Sequence, residues 1–203
     1  MKKRLYFPAV IIFFFSLLGC KKEDVVIPFE DVFSRPYTGG EIKLQYLVPA
    51  TVNGIPTTKD TIVTFTSIGN NPSEKDDYGY SKPAIPWLQL HRMNPGDFQN
   101  RVFIFSSVNL NTLTLPYTFK KGNSPDAQIN YTIGLRPYYD NNGNLVYGTN
   151  TYAATTYSPN FELTILSNNN NRLQGVFSGD IVNQDGDIVH VNKGLFDIQI
   201  VEK

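Results

Sequence analysis

From Glu41 onward, apolar and polar residues exchange places at every second position, the period of a strand with one buried face. Ile42, Leu44, Tyr46 and Val48 alternate with Glu41, Lys43 and Gln45, and only Leu47 breaks the polar side. Asn53-Gly54 and Pro56 mark a turn, and Thr61 to Ser67 reads as a second strand. A polar loop from Asn70 to Pro86 follows, punctuated by four residues that interrupt regular structure, Pro72, Gly79, Pro83 and Pro86. Trp87 to Met93 predicts a strand closed by Asn94-Pro95-Gly96. Arg101 to Val108 carries Val102, Phe103, Ile104 and Phe105 in succession and predicts a central strand covered on both faces. Asn109 to Phe119 has no period.

The second half is more regular. Ile129, Tyr131, Ile133 and Leu135 form one apolar row; Phe161, Leu163 and Ile165 form another. Leu173, Gly175, Phe177, Gly179 and Ile181 make a third, and Phe196, Ile198 and Ile200 close the chain. Asn168 to Asn171 and Asp185-Gly186 are turn signals between them. No helical period appears. The pattern predicts an all-β domain of about eight to ten antiparallel strands, folded as a β-sandwich or, as the alternative, a flattened β-barrel.

Before Glu41 the pattern is of another kind. Lys2, Lys3 and Arg4 precede an apolar run from Leu5 to Leu18. That run is shorter than the roughly 20 residues that cross a bilayer, and it matches the central part of an export signal. It ends in Leu17-Leu18-Gly19-Cys20, which resembles a lipobox. The resemblance implies cleavage before Cys20 and acylation of its thiol and amine. Buried acyl chains contribute about 0.8 kcal/mol per CH₂, so several chains on one cysteine hold a protein firmly on a membrane. The expected organisation is a signal over residues 1–19, a lipidated tether over 20–39 and the β domain over 40–203. Lys21-Lys22-Glu23-Asp24 resembles the short lysine-and-acid signal of surface-exposed lipoproteins in Bacteroidetes-type bacteria.

Charge and composition narrow the partners. The signal carries three of the 18 basic residues and none of the 18 acidic ones, so the mature side chains sum to −3. A mildly acidic chain without a basic stripe is unsuited to nucleic acid. Cys20 is the only cysteine; once it is lipidated, neither an internal disulfide nor thiol catalysis is available.

Few residues invite chemistry. His91 and His190 both fall on predicted strands, without the His-x-x-x-His spacing of a metal site, and read as surface or rim residues. Asp76, Asp77, Asp185, Asp187 and Asp197 contain no pairing that would bring two carboxylates together for glycoside hydrolysis. Asp140-Asn141-Asn142-Gly143-Asn144 opens like a calcium loop, but Leu145 and Thr151 stand where such a loop needs glycine and glutamate. No catalytic residue, metal site or cofactor is expected. The tyrosine-rich stretch with Tyr138, Tyr139, Tyr147 and Tyr152, together with Trp87, is the expected ligand surface: flat rings set among Thr and Asn suit a glycan.

The closing segments Phe161-Glu162-Leu163-Thr164-Ile165, Arg172 to Gly179 and Val189 to Ile198 resemble the last strands of small, uncharacterised Bacteroidetes-type β-sandwich lipoproteins. The shared features are a Gly-x-Phe-x-Gly strand and an Asn-x-Gly-x-Phe strand. The resemblance implies the fold and an outer-membrane address, and carries no activity or catalytic residues with it. The expected function is a non-enzymatic, membrane-held binding module for a surface ligand such as a glycan. The alternative is an accessory subunit that partners an envelope protein.

Overall fold

The computed structural model describes residues 32–52, 54–68, 80–81, 86–122, 125–139 and 142–201. The predicted signal, Cys20 and the first part of the predicted tether lie outside these residues, as do Asp76, Asp77 and Asp140.

The alternating stretches form strands. They are β1 (Glu41–Val52), β2 (Ile55–Phe65), β3 (Tyr80–Ser81), β4 (Leu88–Asn94), β5 (Asp97–Ser106), β6 (Tyr117–Phe119), β7 (Ala127–Tyr139), β8 (Leu145–Thr155), β9 (Glu162–Asn169), β10 (Arg172–Val182) and β11 (Ile188–Gln199). The count slightly exceeds expectation because β3 and β6 have two and three residues, too few for a period to register. Tight turns sit where their chemistry places them. Asn170 and Asn171 both adopt positive φ (51° and 62°) between the paired residues Asn169 and Arg172. That is the two-residue hairpin loop whose twist matches the strands, and asparagine tolerates it better than most residues.

All strand pairs are antiparallel, and they join into a single 11-stranded sheet rather than two stacked ones. The order is β2-β1-β11-β10-β8-β7-β5-β4-β3, with β9 and β6 on a branch from β10. β10 pairs with β9 from Arg172 to Ser178 and meets β8 only at Val182↔Ala153. An isolated bridge, Ser67↔Met93, links the chain just past β2 to β4, so the two ends of the sheet meet at one point. The sheet therefore curls into a half-barrel. The all-β antiparallel class holds, and of the two architectures the barrel-type alternative fits better than the sandwich. Alternation could not separate them, since either architecture buries one face of each strand.

The concave face holds the core: Ile42, Leu44, Phe65, Leu90, Ile104, Ile129, Leu163, Leu173 and Phe196 are almost fully buried there, with many others. The glycine–phenylalanine motifs acquire a physical meaning at this point. Gly175 pairs with Phe196, and Phe177 pairs with Gly194. A Cβ on Gly175 would overlap the Phe196 ring, and one on Gly194 would overlap the Phe177 ring. Each ring lies over the bare backbone of the neighbouring strand, so two glycines and two phenylalanines fill one layer of the core.

Arg101 to Val108 also departs from expectation. Val102 and Ile104 are fully buried, whereas Phe103 and Phe105 on the other face are only half-buried. The apolar run thus serves a one-sided core and an aromatic outer surface.

Residues 32–39, assigned to the tether by sequence, lie with Gly40 against the sheet. Val32 is fully buried. Arg172 Nη2 donates to the Arg35 carbonyl at 3.1 Å, and Arg92 Nε donates to the Gly40 carbonyl at 3.1 Å.

Candidate functional site

The end of β5, the start of β7 and the end of β8 meet around a half-open groove of about 250 Å³. Phe105, Ser107, Asp126, Gln128, Thr155 and Tyr157 line it. The register explains the meeting: Phe105 pairs with Gln128, and Gln128 in turn pairs with Thr155. Three consecutive strands therefore bring an aromatic ring, an amide and a hydroxyl side by side on the convex face.

Tyr157 follows β8 in a turn. Its ring is 65 % exposed, yet it is held at both ends. The hydroxyl donates to Asp126 Oδ2 at 3.0 Å, and the backbone N–H donates to Thr155 Oγ1 at 3.2 Å. Asp126 is itself fixed: Ser106 Oγ donates to its carbonyl at 2.7 Å, and Thr156 Oγ1 donates to Oδ1 at 3.3 Å. The hydrogen bond to the Asp126 carboxylate, with that carboxylate's negative charge, raises the Tyr157 pKa, so the phenol stays neutral and remains a donor. Such an arrangement offers a flat apolar face, a carboxylate acceptor, an amide and hydroxyls, in a geometry set before any ligand arrives.

The residues expected to form the site are distributed differently. Trp87 is half-buried beside β4, with its ring centroid 6.1 Å from that of Phe105, so it adjoins the groove. Tyr138 and Tyr139 pair with Val146 and Leu145, and Tyr147 pairs with Pro137, on the far part of the β7–β8 hairpin. The side chains of these three tyrosines lie outside what the structure describes. Tyr152 turns inward instead: it is 6 % exposed, with its ring 6.4 Å from that of Tyr131 and its hydroxyl accepting from Asn150 Nδ2 at 3.3 Å. It is a core residue, and its ring is not offered to a ligand. Asp126, Gln128 and Phe105 carry no sequence signal of a site, because their proximity to Tyr157 arises only through strand pairing.

The other described candidates lie apart from the groove. His91, expected at the rim, is 6 % exposed, with its ring 5.7 Å from that of Phe103. Burial, then the charges of Arg101 and Arg92, lower its pKa to about 4, so it is neutral at physiological pH. His190 is exposed and its Nδ1 lies 2.6 Å from Asp180 Oδ1. Asp187 is bound into the β10–β11 turn, where Asn183 Nδ2 donates to its Oδ2 at 2.9 Å. Asp197 is buried and takes two hydrogen bonds from Arg172, at 2.8 and 2.6 Å. Among the described residues no group of three or more His, Cys, Asp or Glu could hold a metal ion.

The strands form a half-barrel that carries an aromatic and polar surface groove. Comparison of the chain with family models, with curated proteins and with solved structures finds no match.

Proposed function

We propose that the chain is a non-enzymatic binding module, exported and held on the outer membrane by lipid on Cys20, that takes a glycan through the Tyr157–Phe105 groove. The supporting observation is the exposed Tyr157 ring tethered by Asp126. A surface tyrosine ordinarily loses side-chain freedom when a ligand stacks on it; a tethered ring has already lost it. The apolar face of a sugar ring stacks on such a surface, and its hydroxyls find Asp126, Gln128, Ser107 and Thr155 within the same groove. Among the described residues that line the groove the one charged group is the Asp126 carboxylate, so a neutral or amino sugar fits its charge better than an acidic one.

The test is a glycan array probed with the chain beginning after Lys22, alongside Tyr157→Ala. Binding of neutral glycans that the variant loses by about tenfold or more is the expected result. Binding unchanged by the substitution would place the site elsewhere. The anchor is tested separately: labelled palmitate should enter the wild-type protein and not Cys20→Ala. Proteinase K added to intact cells should digest the domain if it faces outward.

A second reading, an accessory subunit of an envelope complex, is favoured by the outer part of the β1–β2 hairpin. There Ile55 to Asp60 are exposed at every position, and Ile55 is 68 % exposed beside the turn. Co-purification of a stable membrane-protein partner, lost on Ile55→Asp and paired with an empty glycan array, would favour that reading.

A further inference from the structure

The outer face of β10 and β11 is crossed by residues 32–40. Val32 and Leu195 are both fully buried, and both stand apart from the main core cluster. Among the described residues, several attachments of this segment run through side chains. Arg172 donates to the Arg35 carbonyl, Gln174 Nε2 donates to the Phe33 carbonyl at 3.5 Å, and the Gln199 backbone N–H donates to the Tyr37 hydroxyl at 3.0 Å. The Arg172 guanidinium also stands 5.4 Å from the centre of the Tyr37 ring, and Arg35 pairs with Glu41 at the start of β1. The strands beneath are joined otherwise, residue by residue, from Arg172↔Gln199 to Val182↔Ile188. A segment fastened through side chains opens at lower free energy than a strand paired on both edges.

The segment also shapes a cavity. A groove of about 300 Å³ runs over β9, β10 and β11, with Phe33 as one wall and Thr164, Val176, Ser178 and Lys193 among the others. Without the segment the groove loses its Phe33 wall and becomes an open sheet face.

We propose that residues 32–40 are a strap that opens as a local unit while the sheet stays folded, and that the Phe33 groove exists only while the strap is closed. A guest touching Phe33 holds the strap down, and a pull on the chain ahead of Val32 opens the groove before it reaches the core. The device is independent of the glycan reading, since the Tyr157 groove lies on other strands.

Thiol labelling of the full chain tests it. In a Cys20→Ala background, Val32→Cys reports opening of the strap and Val102→Cys, in the core of β5, reports unfolding of the sheet. Val32→Cys should label about 100-fold faster than Val102→Cys, with little dependence on urea. Leu90→Ala then separates local from global opening. It destabilises the sheet whether the strap is open or closed, so it should speed Val102→Cys by about 30-fold or more and leave Val32→Cys unchanged. Two results overturn the proposal. In one, both thiols accelerate together with Leu90→Ala, so the strap opens only when the sheet unfolds. In the other, Val32→Cys labels at the rate of an unstructured thiol, so the strap is never closed.

Discussion

The hairpins β10–β11 and β1–β2 are built alike: each joins a strand of 11 residues to one of 12. Their surroundings differ. β10–β11 has the core on one face, through Leu173, Phe177, Phe196 and Ile198, and residues 32–40 on the other. β1–β2 is anchored towards its base, by Ile42, Leu44 and Phe65 with Tyr46 and Val63 packed beside them, and its outer part from Ile55 to Asp60 is exposed. Strand pairing alone is thus enough to extend a hairpin, whereas covering both faces turns polar side chains into structural parts. Arg172 and Asp197 form a bidentate, part-buried pair in the covered hairpin. Thr57, Thr58 and Lys59 in the projecting one face water.

Substitutions should reproduce this contrast. Phe196→Ala, which removes a fully buried ring and uncovers Gly175, should cost about 3 to 5 kcal/mol in urea unfolding. A loss below about 1 kcal/mol would mean the covered hairpin is not the more tightly held of the two. Arg172→Ala should cost about 2 to 3 kcal/mol, because it leaves the Asp197 carboxylate buried without its donors. Adding Asp197→Leu to that variant should recover most of the loss, since an unpaired buried charge is costlier than an apolar side chain in its place. If the double variant is no more stable than the single one, the pair is not what makes this face sensitive.

His91 carries the same test to a third region, a covered position on β4. Its folded pKa of about 4 lies below the ordinary 6.5. The unfolded chain therefore binds a proton across that interval which the folded chain refuses. The stability owed to neutral His91 is complete above pH 6.5 and is lost as the pH falls towards 4, by up to about 3 kcal/mol. Unfolding midpoints measured through this range should drop for the wild type and flatten in His91→Phe. The smallest effect belongs to the projecting hairpin: Thr57→Ala should change stability by less than about 0.5 kcal/mol. A larger loss there would show that the outer part is held by something besides its own pairing.

Much of this contrast is legible in the chain. Apolar alternation on β1 ends at Val48, whereas Thr57 to Asp60 is polar throughout and precedes the strand expected from Thr61, so its place in β2 comes from pairing with β1. The regular rows of β7, β9, β10 and β11 stand out equally well. The outer covering of β10–β11 is different, because residues 32–40, with Arg35, Pro36, Gly39 and Gly40, have the composition of a tether. Nothing local in them distinguishes a segment that docks from one that does not. The site divides in the same way. Trp87 stands out as the only tryptophan, whereas Asp126 acquires its role from Tyr157, 31 residues further along.

The sequence by itself determined the all-β class, most of the longer strands though not β8, the tight turns at Asn170-Asn171 and Gly186, and the glycine–phenylalanine spacing of the last strands. These follow from local backbone preferences and from the need to bury one face of each strand. Only the tertiary structure decided that the strands form one curled half-barrel, that residues 32–40 cover its outer face, that Tyr152 points into the core, and that Tyr157 is held open beside Phe105. Each of those depends on which distant faces meet. A period of two tells each strand which side to bury, and is silent about the partner it will be buried against.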